Sequence, residues 1–253
     1  QFWPATYHVI GKDILRFHTV FWPAMLMAAD LPVPEHVFVH GYLLMDGEKM
    51  SKSLGNVLDP FEIIERFGTD ALRYYLLRDV TFGEDGSVST EAFERRYDTE
   101  LANELGNLAN RTLSMVGRYR DGSVPDAEID PALADDFEGL AERVAERIDR
   151  VELTPALDDI WQRVRRLNRY VEEQAPWQLA KDPERAGDLD RVLRTLAEGL
   201  RVVTVLLSPW IPGAAEKLLA ALGTPDIGLE GARFGAGRIG VVSALEPLFP
   251  KQP

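Results

Sequence analysis

The chain has 253 residues, 45% apolar and 27% charged, which fits one large or two ordinary soluble domains and argues against global disorder. It has no cysteine, which excludes disulfides and thiolate metal sites within these residues and rules out a secreted disulfide scaffold. The net charge of −13 gives no global pull on nucleic acid, and no apolar run reaches the roughly 18 residues of a membrane span.

No basic-then-apolar leader opens the chain, and Gln1 is not a start methionine. Lys12 to Ala28 predicts a helix, with Ile14, Leu15, Phe17, Val20, Phe21 and Leu26 on its apolar side and a break or kink at Pro23. Val37 to Leu44 predicts one strand, more continuous than alternating, as in a strand buried on both faces. Asp46-Gly47 then turns the chain. Helix, strand and polar loop in that order fit the last α/β unit of an open sheet.

Asp59-Pro60 starts a helix that runs from Phe61 to Phe67 and ends at Gly68; Thr69 can cap the next, Asp70 to Arg78. Gly83 to Ser89 reads as a loop. Phe93, Tyr97, Leu101, Leu105, Leu108, Thr112, Met115 and Val116 trace one helical stripe, stopped by Asp121-Gly122. Helices over Leu133 to Val151, Thr154 to Gln174 and Glu184 to Ser208 follow, the last closed by Pro209. Four to five helices with short connections make a bundle. The Gly- and Pro-rich tail after Gly223 reads as extended.

Between the strand and the Asp59 helix stands Lys49-Met50-Ser51-Lys52-Ser53, with Gly55 just beyond. Two ammonium groups three residues apart, with two hydroxyls, suit phosphate work on a turn at the C-terminal edge of a strand, where open α/β sheets bind ligands. A lysine there can stabilise charge that develops as pyrophosphate leaves. On composition alone an ordinary solvated Lys/Ser loop fits as well; the strand before and the helix after favour the phosphate reading.

KMSKS is the second signature of class I aminoacyl-tRNA synthetases. The chain resembles the methionyl-tRNA synthetase family in His8-Val9-Ile10-Gly11-Lys12-Asp13 through Phe17-His18, Phe21-Trp22-Pro23-Ala24 and Phe38-Val39-His40-Gly41-Tyr42. Phe67-Gly68-Thr69-Asp70-Ala71-Leu72-Arg73-Tyr74-Tyr75, Gln174-Ala175-Pro176-Trp177 and Leu248-Phe249-Pro250 extend the resemblance over nearly the whole chain. It implies a fold of α/β plus all-α class. Residues 1–60 would be the C-terminal part of a Rossmann-type catalytic domain, 61–89 a connecting helical segment, 90–222 a helical anticodon-binding bundle and 223–253 an extended tail.

The implied activity is methionine–tRNA ligase: ATP, with Mg2+, activates methionine to methionyl-adenylate, and the methionyl group passes to tRNA(Met). Lys52 would be the main pyrophosphate-stabilising group, with Lys49 and Ser51 shaping the ATP-binding loop. Asp13, Phe17 and His18 would line the methionine pocket, and Asn107, Arg111 and Trp177 would read the anticodon. The residues alone leave alternatives open. Phe17 and Trp177 fit plain core, His18 a structural hydrogen bond, and Asn107 with Arg111 a solvated face. The basic run Arg163, Arg165, Arg166 and Arg169 fits tRNA phosphates or pairing with the many acids.

The histidines are His8, His18, His36 and His40, and none forms the HIGH-type His-x-Gly-His motif that class I catalysis requires. The family's zinc-binding insertion is absent too; no metal ligand is read in these residues, and zinc status stays open. The chain therefore reads as a C-terminal half that needs an N-terminal half of the same polypeptide. By itself it is expected to show no ATP–pyrophosphate exchange. Without the dimerising extension of some relatives, a cytoplasmic monomer with no membrane association is expected. The competing reading is a non-catalytic tRNA-binding module derived from such an enzyme; the retained KMSKS and pocket motifs argue against it.

Overall fold

The structure is a computed structural model that describes residues 3–45, 47–50, 59–224, 228–236 and 239–251. Strands β1 (Tyr7–Gly11) and β2 (His36–His40) pair in parallel, with Tyr7 opposite His36 and Gly11 opposite His40. Parallel neighbours need a crossover. Residues 12–28 supply it as one helical run: a 3-10 turn Lys12–Ile14, a π-helical stretch Phe17–Phe21 and helix α1 (Trp22–Ala28). Pro23 does not break this run. It follows closely on the π stretch, whose wider turns take up the irregularity that a proline brings to a continuous helix.

The strand expected over Val37 to Leu44 is two strands in two sheets. β3 (Leu43–Met45) pairs antiparallel with β4 (Glu48–Lys49) and parallel with β5 (Gly86–Val88). The break falls at Gly41 because the loop before β5 fills the space of a side chain. A Cβ at Gly41 would stand 2.1 Å from the Glu84 carbonyl oxygen and 2.6 Å from the Asp85 nitrogen.

Helix α2 (Pro60–Phe67) begins on Asp59, whose Oδ1 accepts from Phe61 N at 2.8 Å, and stops at Gly68 with φ 87°. Thr69 is the first residue of α3 (Thr69–Asp79) rather than its cap, which is Gly68. Helix α4 (Thr90–Arg96), a π-helical stretch Tyr97–Gly106 and α5 (Asn107–Arg120) form one continuous rod. Phe93, Tyr97, Leu101 and Leu105 repeat every fourth residue, a period that drifts off a 3.6-residue turn. The wider π turn takes up that drift, and all four are buried. The rod ends at left-handed Asp121, with Gly122 at φ 83°.

The helix expected from Leu133 to Val151 is α6 (Pro131–Phe137) and α7 (Leu140–Asp149), split at Gly139 with φ 64°. α8 (Leu153–Gln174), the short α9 (Pro176–Leu179), α10 (Ala186–Leu207) and α11 (Pro212–Ala221) complete the bundle. α11 was outside the sequence expectation; Pro212 opens it. The tail is not uniformly extended, since Leu229–Ala232 form a 3-10 turn and Val241 bridges to Ser123. Arg201 and Glu198 on α10 hold it. The two pair at 2.7 Å, Arg201 donates to the carbonyls of Gly231 and Arg233, and Gly235 N donates to Glu198 at 2.7 Å.

A second buried carboxylate, Glu100, joins α3, the rod and α8. It accepts from the Tyr74 hydroxyl, from Arg78 twice at 3.2 Å, from Arg96 at 3.1 Å and from Arg165 at 3.3 Å. Burial pushes the Glu100 carboxyl up, but hydrogen bonds from Arg78 and Tyr74 and the charges of Arg78 and Arg96 outweigh it, so it titrates below its ordinary value. Glu100→Ala leaves the buried Arg78 without this partner and should cost ~3–5 kcal/mol in denaturant unfolding. A folded pKa below the unfolded one means the carboxylate stabilises the fold above its ordinary value of 4.5 and that this contribution is lost as pH falls through the folded value. Glu100→Gln should flatten that part of the acid limb in a stability-versus-pH series; an unchanged limb would show that Glu100 is not its source.

Candidate functional site

The sequence-predicted residues fall into three groups. At the strand ends, Lys49 pairs across β3–β4 with Leu44, and its Nζ lies 4.5 Å from the centre of the Tyr42 ring. Lys12 Nζ lies 4.5 Å from the same ring and 2.6 Å from Asp85 Oδ2. Asp85 Oδ1 accepts from Tyr42 N at 2.8 Å. The Lys12 hydrogen bond, then that from Tyr42 N, holds the Asp85 carboxyl below its ordinary range. Tyr42 is thus a ring shelf for two ammonium groups, attracted to its face electrostatically. Neither Tyr42 nor Asp85 is legible as a site residue in the sequence, because the loop that brings Asp85 here follows α3. Ser51 and Lys52 lie outside the described residues.

The second group follows β1. Asp13 is exposed in the 3-10 turn, close enough to Gly11 that a Cβ there would stand 2.6 Å from its Oδ1. His18 is half-buried, and its Nδ1 lies 3.0 Å from the Ile14 carbonyl oxygen. A carbonyl only accepts, so Nδ1 carries the proton and Nε2 of the neutral ring is left as an acceptor. Edge-on contacts run from His18 to His8 at 6.1 Å, from His8 to Trp3 at 6.2 Å and from Trp3 to Trp22 at 5.9 Å. The Trp22 indole N–H is buried without an acceptor among the described residues. Phe17 is 60% exposed and packs on Phe21 rather than on this aromatic chain, so it is not plain core. The structure therefore gathers His18 with His8, Trp3 and Trp22, and sets Phe17 to one side.

The third group lies across the bundle. Asn107 is exposed at the start of α5, with Arg111 one turn on. The Arg111 guanidinium pairs with Glu172 at 2.7 Å and stands 5.7 Å from the Trp177 ring centre. Ala175 in the left-handed region reverses the chain after α8, and Pro176 opens α9, which presents Trp177. That indole is 37% exposed, so it is not a buried core tryptophan. It closes a notch of about 240 Å³ lined also by Asn110, Arg111, Ser114, Met115, Arg118 and Tyr119. Asn110, Ser114 and Arg118 follow one another at four-residue steps, a ladder the sequence shows but that only the exposed notch singles out.

The basic run of α8 is used inside the protein. Arg163 donates to the Asp136 carbonyl, Arg165 pairs with Glu104 and Glu100, and Arg166 pairs with Asp136 and Glu173, while Arg169 is exposed. Among the described residues no group of three or more His, Asp or Glu could hold a metal ion, and no helix is long and apolar enough to cross a membrane.

Residues 1–113 match the family model of class I tRNA synthetases (M), and residues 122–232 match that of the anticodon binding domain of methionyl tRNA ligase. The chain is 46% identical, over 99% of its length, to the methionine–tRNA ligase of Caldanaerobacter subterraneus, of which it covers 40%. It is 45% identical over 99% of its length to that of Bacillus subtilis, covering 39%. The crystal structure of Mycobacterium tuberculosis methionyl-tRNA synthetase bound by methionyl-adenylate superposes with a TM-score of 0.92 at 41% identity, over 98% of this chain and 50% of that one. The chain thus spans about two fifths of the length of the curated relatives it matches. With one synthetase model on its first part, an anticodon-domain model on its second, and likeness along nearly its whole length, the chain belongs to the methionyl-tRNA synthetase family of class I aminoacyl-tRNA synthetases.

Proposed function

We propose that this chain serves a methionine–tRNA ligase, supplying its KMSKS loop, part of its methionine pocket and its anticodon reader. The observation that carries this reading is the presence on one chain of a lysine hairpin at the strand ends and, across the bundle, an exposed tryptophan closing a polar notch. A pure RNA binder has no use for the first, and a free-standing activating domain none for the second.

In the activation step the methionine carboxylate attacks the α-phosphorus of ATP, the bond to the β-phosphate oxygen breaks, and pyrophosphate leaves. Mg2+ enters with ATP as part of the substrate. The Asp13 carboxylate suits the substrate ammonium group. His18 and Trp22 offer ring edges and faces to the thioether, contacts that suit a polarisable sulfur, while Phe17, packed on Phe21 to one side, joins the pocket only by match to the family. Negative charge grows on the leaving oxygens, so the lysines act mainly in the transition state. Tyr42 holds the Lys49 ammonium beside the strand ends, and by match to the motif Lys52 meets the leaving group. A ribose hydroxyl of the tRNA end then attacks the adenylate carbonyl, and AMP departs.

At the notch an unpaired base stacks on Trp177 and bonds by its edge to Arg111, while Asn107, one turn before Arg111 and outside the notch lining, joins this reading by match to the family. Arg111 gives up or shares Glu172 at little cost, since exposed ion pairs contribute only ~0–1 kcal/mol.

Two substitutions test the two halves in the complete natural polypeptide. Lys52→Ala should slow ATP–pyrophosphate exchange by about 10²-fold or more while calorimetric methionine binding changes little. An unchanged exchange rate removes Lys52 from the mechanism. Trp177→Ala should weaken tRNA charging by ~1–3 kcal/mol, about 5- to 150-fold, with exchange near normal and a much smaller loss on a minihelix lacking the anticodon. Equal losses in exchange and charging would make Trp177 a structural residue.

A further inference from the structure

Three elements meet at Glu100: α3 leads toward the lysine hairpin, α8 toward the notch, and the rod toward both. α3 brings Tyr74 and Arg78; upstream of α3 the chain runs back through α2 to the KMSKS segment. The rod brings Glu100 itself and Arg96. It leaves β5, which pairs with the hairpin strand β3, and it carries Asn107 and Arg111 seven and eleven residues beyond Glu100. α8 brings Arg165, and Asp158, which takes the remaining Arg78 nitrogen at 2.8 Å. Its far end carries Glu172, the partner of Arg111, and runs into Trp177.

The carboxylate is 2% exposed and receives donors from α3, the rod and α8 at once. Any slide of the rod against α8 or α3 must lengthen one of these bonds in a setting where water cannot replace it. Glu100 also lies in the π-helical stretch of the rod, and such stretches recur at functional sites. A base that pulls Trp177 and Arg111 together bears on α8 and the rod at one end, and Glu100 transmits the strain to α3 and β5 at the other.

We propose that Glu100 is a positioning residue that couples occupation of the anticodon notch to placement of the catalytic lysine hairpin. This rests on the function proposed above. A merely structural Glu100 would instead lower every activity together through stability.

The test uses the complete natural polypeptide with Glu100→Gln and, separately, Arg165→Met. Arg165 is half-exposed, so its loss spares the core and keeps the question open to measurement if Glu100→Gln folds poorly. Three quantities are compared with wild type: methionine-dependent ATP–pyrophosphate exchange, affinity for an isolated anticodon stem-loop, and the gain in charging kcat of tRNA(Met) over a minihelix lacking the anticodon. Coupling predicts exchange and stem-loop affinity within about two-fold of wild type and a kcat gain reduced at least ten-fold in both variants. An unchanged gain, a fall shared equally by exchange, or lost stem-loop affinity overturns it. Wild-type protein with no exchange or no anticodon-dependent gain would overturn the proposed function, and this inference with it.

Discussion

Taking a carboxylate out of water costs several kcal/mol unless donors replace the lost hydration. Glu100 meets that condition only when Tyr74, Arg78, Arg96 and Arg165 all reach it. Hydrophobic burial is not directional and would accept many offsets between α3, the rod and α8. The carboxylate accepts few, because its donors come from three separate elements. Glu198 with Arg201 does the same for the tail, tying Gly231, Arg233 and Gly235 to the centre of α10.

This arrangement leaves two outward-facing sites of different chemistry. At the strand ends, Lys12 and Lys49 both approach the Tyr42 ring at a sheet edge, with Lys12 also paired to Asp85. At the notch, the charge of Arg111 is already matched by Glu172. The arginines of α8 that could have met phosphates are also largely matched by acids. With a net charge of −13, long-range attraction does little for RNA. Under the proposed function, recognition at the notch would rest on short-range stacking and edge hydrogen bonds, which suits reading a base more than gripping a backbone.

Much of this was legible in the sequence wherever a local rule decides. Asp59-Pro60 and Gly68 fix the ends of α2 by capping and backbone freedom, and the apolar stripe from Phe93 to Val116 is the buried face of the rod except for Met115, which lines the notch. Features set by distant chain were not. Gly41 divides two strands because of the Glu84-Asp85 backbone, beyond two intervening helices. The exposure of Trp177 depends on the left-handed Ala175, and composition alone would bury it. Arg96 and Glu100 look like an ordinary surface pair one turn apart; only Tyr74, Arg78 and Arg165 reveal a buried hub. The KMSKS reading rests on the motif itself, with Lys49 placed by the fold and Ser51 and Lys52 outside the described residues.

The central claim is that the notch closed by Trp177 reads an unpaired base of the methionine anticodon. The most direct measurement is equilibrium binding of this chain to an RNA stem-loop carrying that anticodon, beside stem-loops with each anticodon base changed in turn. The account predicts that at least one single-base change weakens binding about ten-fold or more, as loss of a stacked and edge-bonded base requires. Trp177→Ala should abolish that discrimination. Equal affinity for all the stem-loops, or discrimination that survives Trp177→Ala, would contradict it.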